Sequence, residues 1–297
     1  PALLSASGFK LPSNVFVHGF LTVNGQKMSK SRGTFITAKQ YLENLDPEHL
    51  RYYFAAKIGS SIEDIDLSLE DYTFRVNADL VGKFVNIGSR CAGFLEKNFA
   101  GRLGGSVENS ELLEKFQHSF GVISEGYEKR EYRKVIRVVM GLADDANRYI
   151  DEKKPWKIAK DKSKNGELHD VITQGILMFR LLAIYLKPVL PELVGKVEKF
   201  LNESNLVFSD ISNVPLNKKI SKFEEFKHDV TTLFLEDMCK EFVTDYEFVK
   251  VNDHKSHLLM NCTDLEKLGT TMEDPICKEW DKKNNCKDTV YSIELVE

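Results

Sequence analysis

The chain has 297 residues, a net charge of −4, 42% hydrophobic residues and 29% charged residues. Its length suggests about two domains, and its composition is ordinary for a globular protein with a sizeable core. No apolar run reaches the roughly 18 residues that a membrane helix needs, no secretory signal opens the chain, and five Cys without a Cys-x-x-Cys pair argue against a disulfide framework. The cytoplasm is the expected compartment. The chain opens at Pro1-Ala2-Leu3-Leu4 without Met, inside an apolar stretch, and reads as a cut through a fold or a processed chain.

In chain order, Phe16 to Val23 is rich in β-branched and aromatic residues and predicts a strand. Asn24-Gly25 is a turn signal, and Gln26 to Gly33 reads as a polar, basic loop. A short helix is expected from Thr37 or Ala38. Asp46-Pro47 caps the next helix with proline at its first position. From about Asp71 the apolar period becomes helical: Val76, Leu80, Phe84, Ile87 and Cys91 recur at spacings of three and four. Helices are then expected over Asn109–Ser124, Tyr127–Lys153, Gly166–Leu186 and Pro191–Asn202. Short breaks between them predict an antiparallel helical bundle.

A polar linker with Pro215 follows. Thr231–Val243 reads as a helix, and Tyr246–Val251 and Val290–Val296 as strands. Residues 224–297 hold 18 acidic and 9 basic residues and no Arg, against 27 acidic and 32 basic before them. A surface for nucleic acid therefore belongs to the front of the chain. Cys262, Cys277 and Cys286 with His254 or His257 match no zinc spacing well, so free thiols are favoured and no metal site is expected.

Lys27-Met28-Ser29-Lys30-Ser31 is the segment that carries chemistry. Two ammonium groups on flexible stems can reach a triphosphate, and the hydroxyls can bond its oxygens. When a carboxylate attacks the α-phosphate of ATP, charge builds on the departing pyrophosphate. A cation that engages it at that moment lowers the barrier. The competing reading is a solvated Lys/Ser turn. A second kit lies downstream. Asn86 and Arg90 are four apart and share a helix face. Pro155 breaks the helix that ends near Lys153 and fixes Trp156 at a helix end, where one ring face can stay open for an unpaired base. A core tryptophan and a solvated helix face are the competing readings.

The loop resembles the KMSKS signature of class I aminoacyl-tRNA synthetases. The longer stretch from Phe16 to Thr34 is similar to the methionyl-tRNA synthetases in particular. The resemblance extends from Pro1 to about Phe226. It implies a mainly α chain in five parts. Residues 1–36 end a Rossmann-type nucleotide-binding fold, 37–75 connect it to the tRNA stem, and 76–208 form an α-helical anticodon-binding bundle. Residues 209–223 link the bundle to an unassigned α+β tail, 224–297. The connecting region matches at Leu50-Arg51-Tyr52-Tyr53 and Asp64-Ile65-Asp66-Leu67. There Arg51 and Tyr52 read either as tRNA-backbone contacts or as ordinary helix-surface residues, the second favoured.

The resemblance also implies roles. Lys30 contacts pyrophosphate in the transition state, Lys27 and Ser29 shape the loop and assist, and His18 and Leu21 lie near the adenosine. Asn86, Arg90, Pro155 and Trp156 line the anticodon pocket. Gly82 departs from the family pattern one turn before Asn86, where Asn is frequent. ATP, Mg²⁺, methionine and tRNA(Met) are the implied ligands, and zinc is not expected in this portion. The reaction implied for the intact enzyme is ATP-dependent activation of methionine and its transfer to tRNA. A His-x-Gly-His turn and a methionine pocket, expected of a complete family member, are not visible in this sequence. The chain alone is therefore not expected to make methionyl-adenylate at a useful rate. A separately encoded front half would restore activity. The alternative is a non-catalytic anticodon-binding module with a vestigial loop.

Overall fold

A computed structural model describes residues 2–29, 37–42 and 45–222, and the backbone of 243–252 and 255–262. Two units emerge: Pro1–Asp229, and Val230–Glu297.

In the first unit, helix α1 (Ala2–Ala6) leads into a mostly exposed segment without regular secondary structure. A small sheet follows, ordered β2-β1-β3, from β1 (Leu21–Val23), β2 (Gln26–Lys27) and β3 (Ile65–Leu67). β1 is antiparallel to β2 and parallel to β3. The strand expected from Phe16 is thus shorter than its composition predicts. Pairing begins at the Phe20 carbonyl, which accepts from Ile65 N at 2.8 Å, while Phe16 and Phe20 stay exposed. Of the loop expected over Gln26–Gly33, Gln26–Lys27 continues the ladder as β2, and residues 30–33 lie outside the described residues.

Helices α2 (Ala38–Leu42) and α3 (Pro47–Lys57) come between β2 and β3. Asp46 caps α3 by accepting from Glu48 N at 2.7 Å, with Pro47 at the first position. Ser68 caps α4 (Leu69–Arg75) through the Asp71 amide. The chain then winds as a π-helical segment, Val76–Val85, before returning to α geometry in α5 (Asn86–Phe99). Wide π turns of this length are rare and tend to gather near functional sites.

The expected helix Asn109–Ser124 is two helices, α6 (Ser110–His118) and α7 (Phe120–Glu128), broken at Ser119. The Ser119 hydroxyl bonds the Lys115 carbonyl, as a serine competing with the helix backbone does. Arg130, at φ 61°, turns the chain into α8 (Tyr132–Lys153). After α9 (Pro155–Ile158) come α10 (Asn165–Leu186) and α11 (Pro191–Phe200).

α10 is the axis of the bundle. Every residue from Val171 to Leu186 is buried, so its apolar run is a core helix rather than a membrane span. Its polar members have partners. Thr173 accepts from Gly104 N at 2.8 Å, and Gln174 bonds both the amide and the carbonyl of Asn109. Arg180, 2% exposed, takes both Glu203 oxygens at 3.0 Å and the carbonyls of Asp210 and Asn213.

The helices are not uniformly antiparallel. The pairs Phe84–Phe179, Cys91–Gly175 and Phe99–His169 run oppositely along α10 and the continuous run of the π-helical segment with α5. The pairs Lys83–Asp144, Asn86–Asn147 and Arg90–Asp151 rise together, so α5 and α8 are parallel. α6 and α7 carry the chain back between them, which allows this.

In the second unit, β4 (Val243–Asn252) and β5 (Lys255–Cys262) form an antiparallel pair. The strand expected at Tyr246–Val251 falls inside β4. The helix expected at Thr231–Val243 and the strand at Val290–Val296 lie outside the described residues, apart from Val243, which opens β4.

Candidate functional site

The sequence-predicted residues form two groups, one on the β1–β2 hairpin and one on α5 and α9. The hairpin turns on two residues, Asn24 (φ 47°) and Gly25 (φ 73°). Positive φ at both positions is the twist that a two-residue hairpin needs, and glycine adopts it without strain. Thr22 stands opposite Lys27 across the ladder, and Lys27 is exposed. Met28 and Ser29 are half-buried. Lys30, to which the resemblance assigns the pyrophosphate contact, lies outside the described residues.

Two polar side chains tie this hairpin to the neighbouring segment: Asp66 from that segment and Asn24 from the turn itself. Asp66 Oδ1 accepts from Thr22 Oγ1 and from Gly25 N, both at 2.7 Å. Those bonds, the Thr22 hydroxyl first, draw the Asp66 carboxyl below its ordinary value. Asn24 Oδ1 accepts from Leu69 N at 3.2 Å, and Asn24 N donates to the Leu67 carbonyl. Below them, buried Tyr53 donates to the Asp66 carbonyl at 2.9 Å and lies 3.2 Å from Asp71, which also pairs with Lys57 and Arg75. His18 is exposed, its Nδ1 2.7 Å from the Gly19 carbonyl, and Leu21 is half-buried on β1.

The second group meets across α5, α8 and α9. Asn86 donates to Asn147 Oδ1 at 3.2 Å, and Asn147 in turn donates to the Lys83 and Ala143 carbonyls. Arg90 bonds Asp151 through Nη2, and its guanidinium carbon lies 5.2 Å from the centre of the Trp156 ring. Lys154, at φ 51°, ends α8 in a left-handed turn, and buried Pro155 starts α9. That reversal sets the indole beside Arg90. Trp156 is 39% exposed, so the ring is not sealed in the core. Lys154, Lys157 and Lys160 beside it in sequence are also exposed and add positive potential.

One reading of the connecting region changes. Tyr52 is fully buried and donates to Asp79 at 2.8 Å, so it is neither a tRNA contact nor a surface residue. Arg51 is exposed on α3, in keeping with the favoured surface reading, and donates through Nε and Nη2 to the Val189 and Pro188 carbonyls at 2.9 and 3.0 Å. Asn147 and Asp151 escaped sequence reasoning. Their spacing of four repeats that of Asn86 and Arg90, but only the parallel packing of α5 and α8 gives that repeat meaning. Among the described residues no group of three or more His, Cys, Asp or Glu could hold a metal ion. The cysteines weighed for zinc lie beyond the residues whose side chains are described.

The family model described as tRNA synthetases class I (M) matches residues 1–92. The chain is 53% identical over 224 residues to a methionine–tRNA ligase of Thiobacillus denitrificans, a match covering 75% of this chain and 32% of that protein. It is 49% identical over 224 residues to the enzyme of that name from Francisella tularensis subsp. tularensis, with 33% of that protein covered. The chain thus spans about a third of the length of the curated relatives it matches. A Mycobacterium tuberculosis methionyl-tRNA synthetase solved in complex with methionyl-adenylate superposes with a TM-score of 0.67 at 24% identity, over 74% of this chain and 45% of that one. At that identity the match speaks for the fold.

Proposed function

Starting from the premise that the matched part of this chain belongs to the methionyl-tRNA synthetases of class I, we propose that it supplies two parts of a methionine–tRNA ligase. One is the phosphate-handling loop on the hairpin. The other is the surface that reads the methionine anticodon. In this reading residues 1–36 close the nucleotide-binding fold, 37–75 connect, 76–208 bind the anticodon, and 209–223 link to a tail, 224–297, that carries no assigned role.

The observation that carries the reading is the juxtaposition of Arg90 with an exposed Trp156, beside Asn86 on the same helix face. An aromatic platform, a guanidinium and an amide are what an unpaired RNA loop requires: a plane to stack on and donors for splayed base edges and phosphates. Pro155 fixes the platform by starting α9 at a defined angle.

At the other end, the carboxylate of methionine attacks the α-phosphate of ATP and pyrophosphate leaves. Lys30, with Lys27 and Ser29, neutralises the charge that gathers on the leaving group, and His18 and Leu21 lie along the adenosine. Magnesium enters with the ATP phosphates. Such an enzyme works in the cytoplasm.

The test is an RNA-binding assay on the 297-residue chain, comparing tRNA(Met) with a version carrying another anticodon. The reading expects the swap to weaken binding at least tenfold at fixed salt. Equal affinity for both RNAs overturns the anticodon assignment. Lys30→Ala is expected to leave that discrimination intact while abolishing binding of inorganic pyrophosphate, which separates the two parts.

A further inference from the structure

We propose that Asp66 is a positioning residue for the double-lysine loop: its carboxylate fixes the turn from which Lys27 and the residues after it set out. This rests on the reading that the loop engages phosphates. β1 and β2 share only two residue pairs, Thr22 with Lys27 and Val23 with Gln26. So short a hairpin is marginal by itself and needs an outside tie to hold one register. Asp66 provides it at two points, one on β1 and one in the turn. One carboxylate oxygen takes the hydroxyl of Thr22, the residue opposite Lys27, and the amide of Gly25, at the tip of the turn, each at 2.7 Å.

The clamp is itself supported. Asp66 pairs with Thr22 in the parallel ladder, and its carbonyl takes the Tyr53 hydroxyl at 2.9 Å. Tyr53 belongs to α3, which is fastened to the bundle through Glu48 and Arg51. A carboxylate beside a loop meant for phosphates opposes the ligand by its charge. What it gives in return is geometry, because one oxygen accepts from two donors at once and ties β1 to the turn. This distinction decides the outcome of substitution. Asp66→Asn keeps an oxygen able to accept both bonds and loses the charge. Asp66→Ala loses both.

The experiment uses the whole chain, with fold checked by far-ultraviolet circular dichroism. Hydrogen exchange at the Gly25 amide and titration with inorganic pyrophosphate are measured for wild type, Asp66→Asn, Asp66→Ala and Thr22→Val. Asp66→Ala is expected to speed exchange and to weaken pyrophosphate binding, each about tenfold. Asp66→Asn is expected to stay within about threefold of wild type in both. Thr22→Val, which removes one of the two bonds and leaves the carboxylate in place, falls between and serves if Asp66→Ala does not fold. Unchanged exchange and unchanged pyrophosphate affinity in Asp66→Ala and Thr22→Val overturn the proposal while leaving the phosphate reading in place. Equal losses in Asn and Ala overturn it too, since charge would then be the active property. A wild-type chain that does not bind pyrophosphate brings down the phosphate reading, and the positioning role with it.

Discussion

Arg90 lies with its guanidinium carbon 5.2 Å from the centre of the Trp156 ring while its Nη2 is bonded to Asp151. The cation therefore does two things at once. It lies against the indole and is itself bonded to a carboxylate one helix away. Trp156 remains 39% exposed beside it. If the indole is the stacking platform, Trp156→Ala removes one base–aromatic stack, and affinity for a methionine-anticodon stem-loop is expected to fall by roughly 1–3 kcal/mol. Isothermal titration at fixed salt measures it. An unchanged constant removes Trp156 from the binding surface.

Asp151 makes a different prediction. It is well exposed, and exposed ion pairs contribute little to folding. Asp151→Ala should leave stability within about 0.5 kcal/mol by urea unfolding. It also removes a negative charge from a surface meant for RNA, so stem-loop affinity is expected to rise a few-fold at low salt, with the gain fading as salt is added. A loss of affinity would mean that Asp151 is needed to aim Arg90.

Sequence spacing was enough to put Asn86 and Arg90 on one face, because the helical period alone determines that. Asp46-Pro47, Asn24-Gly25 and Pro155 were equally legible, since each acts through local backbone chemistry. What spacing could not supply was anything set by packing between elements. The parallel run of α5 against α8 gives Asn86 and Arg90 their partners, and no local signal encodes it. Nor does one encode the π-helical winding of Val76–Val85, whose apolar residues also fit an α period. Phe16 to Phe20 carry strand-forming side chains, yet register begins only where β3 arrives. Tyr52, a tyrosine beside an arginine on a helix, reads as surface in sequence, and only packing reveals Asp79 2.8 Å from its hydroxyl.

Glu48 fastens the connecting region to the bundle. Its two oxygens accept from Glu192 N at 2.6 Å and Leu193 N at 2.7 Å, capping the first turn of α11 from another helix. Glu48→Ala uncaps that turn and should cost about 0.5–2 kcal/mol. Burial raises the Glu48 pKa above its ordinary value, the two amide bonds opposing it. For an acid with a raised folded pKa, protonation is easier in the folded chain. Its contribution to stability is then largest at low pH and shrinks as pH rises through the folded pKa. The gap between wild type and Glu48→Ala is thus expected to be wider at pH 4 than at pH 7 (about these values). Urea unfolding at the two pH values checks it, and a gap that narrows on acidification contradicts the raised pKa and means that the two amide bonds outweigh burial.

Cys91 and Gly175 set how closely α5 approaches α10, and they can be tested as a pair. Cys91 is fully buried, and a Cβ built on Gly175 would sit 2.3 Å from its sulfur. Burial also pushes the thiol up to about 12, so almost no thiolate exists at neutral pH. Iodoacetamide at pH ~8 should therefore label the Cys91 peptide in urea but not in the native chain, as read by mass spectrometry. Gly175→Ala overpacks the contact and should cost about 1–3 kcal/mol. Cys91→Ala removes the colliding sulfur and leaves only the Cys91 Cβ, 3.6 Å away, which is ordinary contact. The double variant should therefore be more stable than Gly175→Ala alone, with a coupling of about 0.5–3 kcal/mol. Strictly additive losses would mean that the two helices separate to absorb the methyl group, and that this contact does not set their spacing.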